Sequence, residues 1–156
     1  MKAVFALLAA ASMLALSVAA SAQDSAQQPS ASPPEGVYQP SLSDIMAHQQ
    51  ERHIKLWFAG HAGNWALADY EIGELSDGFD DIGKMLGGDI VKQHVGAALD
   101  ALQKAVDDKD SAAFTAAYDK LGAGCNACHH TLDHAFVVIA RPTLLPYSDQ
   151  VFSPQK

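Results

Sequence analysis

Cys125-Asn126-Ala127-Cys128-His129 is the stretch of this 156-residue sequence whose residue types and spacing define a chemistry. It is a C-x-x-C-H run, the attachment signal of a c-type haem. Each thiol can add to a haem vinyl group as a thioether, and the adjoining imidazole of His129 can ligate the iron from the same side. The sequence holds two cysteines, and by simple composition their falling at this spacing before a histidine has a chance on the order of one in a thousand. One covalent haem c, held by Cys125 and Cys128 with His129 as proximal iron ligand, is therefore the expected cofactor. Two other chemistries use such a pair: a zinc site needs four convergent ligands, and a redox-active dithiol normally sits at a helix N-terminus that lowers the thiol pKa.

The elements that must position these residues read as helices. Apolar side chains recur at helical period in four segments separated by breakers, and no strand-length alternation enriched in β-branched residues appears. The first helix is predicted from about Ser43 to Gly60, with Ser41-x-x-Asp44 as a capping box and Leu42, Ile45, Met46, Gln49, His53, Leu56 and Trp57 along one stripe. The second runs from about Ala62 to Leu86 and stops at Gly87-Gly88; the third runs from about Asp89 to Val106. Asp110 or Ser111 caps a fourth, long helix to about Ala140, ended by Arg141-Pro142. Four helices with short connections imply an all-α, antiparallel four-helix bundle with C-x-x-C-H on the last helix.

At about 100° per residue, with His129 at 0°, Phe114, Tyr118, Leu121, Leu132, Phe136 and Ile139 fall on one face between about −20° and −80°. The cysteines fall at about −40° and −100°, so a haem would lie against the bundle interior. His130 and His134 turn off that face, which weighs against zinc, and the mid-helix position of the pair weighs against a reactive dithiol.

Residues 1–22 read as a secretory signal: basic Lys2, an apolar stretch from Ala3 to Ala20, and the small triplet Ala20-Ser21-Ala22. Cleavage would remove Lys2 and leave nine basic against 18 acidic residues, a charge of −9 for the remainder. Residues 23–40 are Gln, Ser, Ala and Pro with almost no large apolar side chains, a disordered leader. The bundle is expected over 41–141 and a C-terminal extension over 142–156. An extracytoplasmic, periplasmic destination agrees with haem attachment, and no second hydrophobic span follows to hold the chain in a membrane after cleavage. The acidic balance would repel a phosphate backbone, which excludes nucleic acid as a partner class. No Ser/His/Asp arrangement, HExxH or phosphate-binding Gly-rich loop supports an enzyme reading.

A secreted four-helix chain with C-x-x-C-H on its last helix resembles the cytochrome c′ family, the class II c-type cytochromes, over about Leu42 to Ala140. The resemblance implies a periplasmic bundle, frequent dimerisation, and either electron transfer or binding of small gases at an open iron. It departs after the haem histidine: family members usually carry Lys or Arg there and end soon afterwards, whereas Asp133 and His134 follow here with 27 residues beyond His129. In the family the first helix covers the distal face, so the resemblance implies that a distal ligand would come from the first helix here. His53 is central on its buried stripe and is the expected distal ligand; Met46, about 20° away and two turns earlier, is the alternative. A histidine satisfied in the core is the ordinary reading of such a residue, and a vacant site remains open. His48 reads as solvated, His94 as a flank residue, and Arg52 as a partner for a haem propionate or a solvated surface residue.

Two functions follow. A six-coordinate iron implies an electron carrier with a basic redox partner protein; a five-coordinate one implies a cytochrome c′-like protein that binds NO or CO.

Overall fold

A computed structural model describes residue 36 and residues 38–155. The signal reading of 1–22, and all but the end of the 23–40 leader, lie outside the described residues. Among these, the secondary structure is four α-helices and no strand: α1 Leu42–His61, α2 Trp65–Leu86, α3 Ile90–Asp107 and α4 Ser111–Thr131.

Each start has a local cause. Ser41 caps α1 with the reciprocal pair expected from its sequence: its hydroxyl accepts from the Asp44 N–H at 3.2 Å, and the Asp44 carboxylate accepts from the Ser41 N–H at 2.9 Å. α2 begins at Trp65, three residues later than its apolar pattern suggests. Gly63 takes a positive φ of 71°, and the Asn64 side chain then accepts the Leu67 N–H at 3.2 Å. Asp110 caps α4 by accepting from the N–H groups of Ala112 and Ala113 at 2.9 and 3.0 Å.

The far end of α4 differs from the sequence reading. The helix ends at Thr131, not near Ala140, and Pro142 is not its terminator. Asp133 takes a left-handed φ of 60°, and the His134 N–H closes back on the His129 carbonyl at 2.7 Å. From there residues 132–141 run back along α4 as a strap. Phe136 consequently stands 80% exposed instead of on a buried helical face, and Leu132 and Ile139 are half-buried outside the helix.

The core draws Leu56 and Ala59 from α1, Ile72, Leu75 and Ile82 from α2, Val95, Ala98 and Leu102 from α3, and Phe114, Tyr118 and Leu121 from α4. Each fully buried large apolar side chain stabilises by about 1.5–3 kcal/mol relative to its exposed state. α1 packs on α2, α2 on α3, and α3 on α4, while α1 and α4 meet over less of their length, an arrangement compatible with a four-helix bundle. α3 and α4 approach closely at Gly124, where a Cβ would collide with the His94 carbonyl oxygen. The segment expected as an extension joins the core at one point: Phe152 is buried, its ring edge-on to Phe58 at 6.3 Å. No helix among the described residues is long and apolar enough to cross a membrane.

Candidate functional site

The last two turns of α4 carry Cys125, half-buried, and Cys128, buried, both as free thiols. Burial, with Cys128 adjacent, pushes the Cys125 thiol up to about 11, and burial raises Cys128 as well. Both therefore stay protonated at neutral pH. A dithiol that attacks as a thiolate needs the opposite shift, so the local electrostatics disfavour that chemistry.

His129 follows on the same helix, half-buried, with its Nδ1 2.9 Å from the Val137 carbonyl oxygen. A carbonyl can only accept, so Nδ1 carries a proton and donates it. The strap supplies that carbonyl and is tied to α4 twice. The Asn126 amide donates to the Ile139 carbonyl at 2.9 Å and accepts the Ile139 N–H at 2.7 Å. Arg141 grips Asp119 with Nη2 at 2.7 and 2.6 Å from the two carboxylate oxygens, while its guanidinium lies 4.6 Å over the Trp57 ring.

His53 occupies the core face of α1, 5% exposed. Its ring stacks on Tyr118 at 4.4 Å between centroids, and the Tyr118 hydroxyl is 2.9 Å from both His53 Nδ1 and the His53 carbonyl oxygen. One hydroxyl has one proton. If it went to Nδ1, the hydroxyl and carbonyl oxygens would face each other at 2.9 Å with no hydrogen between them. The consistent arrangement has Tyr118 donating to the carbonyl and Nδ1–H donating to Tyr118. His53 Nε2 is then a bare lone pair, buried and without any hydrogen-bond partner. Burial lowers the His53 pKa from 6.5 to about 4, so the ring is neutral at neutral pH.

A cavity of about 240 Å³ opens beside His53, lined by His53 from α1, Tyr118, Gly122 and Asn126 from α4, and Ile139 and Arg141 from the strap; Cys125, Cys128 and His129 do not line it. By helical arithmetic His129 shares the stripe of Tyr118 and Gly122, within about 20° of each, and stands one turn beyond Asn126. His53 therefore packs at the level of Tyr118, eleven residues or about 16 Å of helix axis before His129, and the structure does not bring the two imidazoles together. Met46, half-buried and packed against the core, lies outside this lining. A larger groove of about 560 Å³ between α2 and α3, lined by residues such as Phe79, Gly83, Val91 and Leu99, contains neither histidine nor cysteine.

The residue types are those a haem c would need, two thiols three apart with an adjoining imidazole, but they share no cavity with His53, whose Nε2 is unpartnered. Cofactor sites typically measure about 300–1,000 Å³, so a haem requires more room than the present cavity. Among the described residues no three His, Cys, Asp or Glu side chains converge as a ligand set for a bare ion.

The remaining candidates fall elsewhere. His48, His130 and His134 are exposed, and His61 stacks on Trp57 at the surface. His94 Nε2 is 3.4 Å from the Thr131 hydroxyl. Arg52 is committed to α2, 3.3 Å from Glu71 and 3.0 Å from Glu74, and Glu71 is buried to 1% exposure, which removes Arg52 as a free partner for a propionate. Asn126, Tyr118 and Arg141 acquire site roles that sequence reasoning did not assign. For Asn126 no signal existed, because its partner is a backbone 13 residues away. No family model matches the chain, no curated protein matches it, and no solved structure matches its fold.

Proposed function

We propose that the protein is a periplasmic monohaem c-type cytochrome that transfers electrons, built as an antiparallel four-helix bundle resembling cytochrome c′ with its attachment motif on α4. Cys125 and Cys128 hold the haem, His129 is the proximal ligand and His53 the distal one. The observation that carries this reading is the buried, unpartnered Nε2 of His53, where every other buried side-chain nitrogen and oxygen among the described residues has a partner. Neutral imidazole Nε2 is a common metal ligand, and an unpartnered one is available for that role.

The chain's own residues account for the rest. Each thiol adds across a vinyl double bond: sulfur bonds to the carbon next to the ring, the thiol proton goes to the terminal carbon, and nothing is oxidised or reduced. Protonated, unpaired thiols suit that step. Tyr118 holds His53 through Nδ1 and leaves its Nε2 unpartnered, and the Val137 carbonyl holds His129 through Nδ1. Haem, when bound, supplies a one-electron couple, and two imidazole ligands favour a low potential relative to a His/Met pair. The formal charge of −8 favours a basic redox partner and an association rate that falls as salt rises.

The test is optical. The protein purified from a periplasm should keep its haem through extraction into acidified organic solvent and show a low-spin six-coordinate spectrum. His53→Ala should make it high-spin. Haem that leaves the polypeptide defeats the attachment reading. A wild-type high-spin spectrum, with CO binding whose rate rises with CO concentration and never saturates, would move the assignment to a gas-binding protein with an open distal site.

A further inference from the structure

We propose that the groove between α2 and α3 docks a basic amphipathic helix of a partner protein, which lays apolar side chains into the groove and its lysines or arginines along the rim. This stands apart from the haem reading, since Cys125, Cys128, His129 and His53 do not line the groove. Small residues make the space. A Cβ at Gly83 of α2 would meet no heavy atom nearer than 3.8 Å, and one at Gly96 of α3 would meet only the stem of Lys92. Where packed helices usually close side chain against side chain, these positions help to leave about 560 Å³ open. Buried Val91 and Val95 lie at its base, and half-buried Phe79 and Leu99 flank it. Its α3 side runs from Asp89 to Asp100, about 16 Å of helix axis. A slot of that length and lining fits a helix that offers apolar anchors at i, i+3 or i+4, and i+7.

Charge selects the occupant. From Trp65 to Asp108, the two helices and their connection, the chain holds ten Asp and Glu against three Lys, a charge of −7, whereas the other described residues hold six against five. Glu71 and Glu74 are turned to Arg52 of α1. The remaining eight are aspartates, all exposed, and two of the three lysines are already taken: Lys84 pairs with Asp81 and Lys104 with Asp108. Asp80, Asp89 and Asp100 line the groove itself. A surface so one-signed repels a second copy of the chain, an anionic lipid surface and a nucleic acid, and it attracts a cationic partner. The apolar lining then distinguishes a docking helix from any polycation, because covering Phe79 and Leu99 rewards only a partner with an apolar face.

The experiment titrates the purified full-length protein with a fluorescent helical peptide that carries leucine on one face and lysine on the other. A peptide of the same composition in scrambled order is the control, and NMR amide shifts locate the contact. The amphipathic peptide should bind with its largest shifts at Gly83, Gly96 and Leu99, and the scrambled one should bind about tenfold more weakly or worse. Gly83→Leu fills the slot while favouring the helix, and should weaken binding by about tenfold. Asp80→Asn with Asp100→Asn should weaken it at low salt and by less at high salt, where the charges are screened. Shifts centred away from the groove, equal binding of the scrambled peptide, or a folded Gly83→Leu that binds as wild type each overturn the proposal. So does a wild-type dimer that Gly83→Leu splits, which would seat a second copy in the groove, or spermidine alone reproducing the shifts and displacing the peptide, which would make it a small-cation site. If Gly83→Leu does not fold, Leu99→Ser carries the test on the same criteria. The outcome is the same whether or not the chain carries haem, so a failure here leaves the haem reading as it was.

Discussion

His53 and His129 reach the same end by different means. Each has Nδ1 tied to an oxygen, yet one ring is embedded between α1 and α4 and held by a tyrosine hydroxyl, while the other sits near a helix end and is held by a backbone carbonyl of a returning strap. The first arrangement depends on how two helices pack. The second depends on a few residues close in sequence. Perturbing the first should therefore be felt by the whole fold, and perturbing the second by the site alone.

The sharpest way to separate the two is pH. The folded His53 pKa of about 4 lies below the unfolded value of 6.5. Between these values the unfolded chain binds the proton that the folded ring refuses, so stability is full above about 6.5 and is lost as pH falls toward 4. The depression corresponds to a loss on the order of 3 kcal/mol. Urea denaturation of haem-free protein at pH 7 and pH 4.5 should show this loss in wild type beyond whatever His53→Leu shows. Equal losses in the two proteins would mean that His53 is not buried as described.

A smaller effect is expected from Tyr118→Phe, which keeps the ring stack and removes the hydroxyl that accepts from His53 Nδ1. Leaving that buried N–H without a partner should cost about 1–3 kcal/mol in the same denaturation experiment. Nitrogen shifts of His53 should lose the pure Nδ1–H signature. A variant as stable as wild type, with the tautomer intact, would break the contrast from the core side.

The smallest change belongs to the strap. Arg141→Ala removes a pair whose partners are both about half exposed, so global stability should fall by less than about 1 kcal/mol. Amide exchange at Ile139 should nevertheless quicken, since local opening of the strap needs no opening of the core. A loss of several kcal/mol would show that the strap belongs to the core's cooperative unit.

The parts of this arrangement that follow periodicity and capping were readable in advance. His53 lies at the centre of an apolar stripe, and Ser41 with Asp44 forms a box whose spacing is its own signature. The end of α4 was not readable. A helical pattern runs on through Phe136 and Ile139, and what stops it is Asp133 turning left-handed, with Asn126 holding Ile139 against the helix it left. The pairing of Arg52 with Glu71 likewise spans two helices and leaves no periodic trace. Motif chemistry was legible because spacing defines it, whereas the donors that orient the ligands depend on tertiary contacts.

Phe152 packs on Phe58, 94 positions earlier in the chain. A contact so distant in sequence closes a large loop and forms late. During synthesis the outward side of α1 therefore stays uncovered until residues past 150 have emerged. The last residues of the sequence thus serve as a latch on its first helix, and a chain cut short before Phe152 would leave Phe58 without that cover.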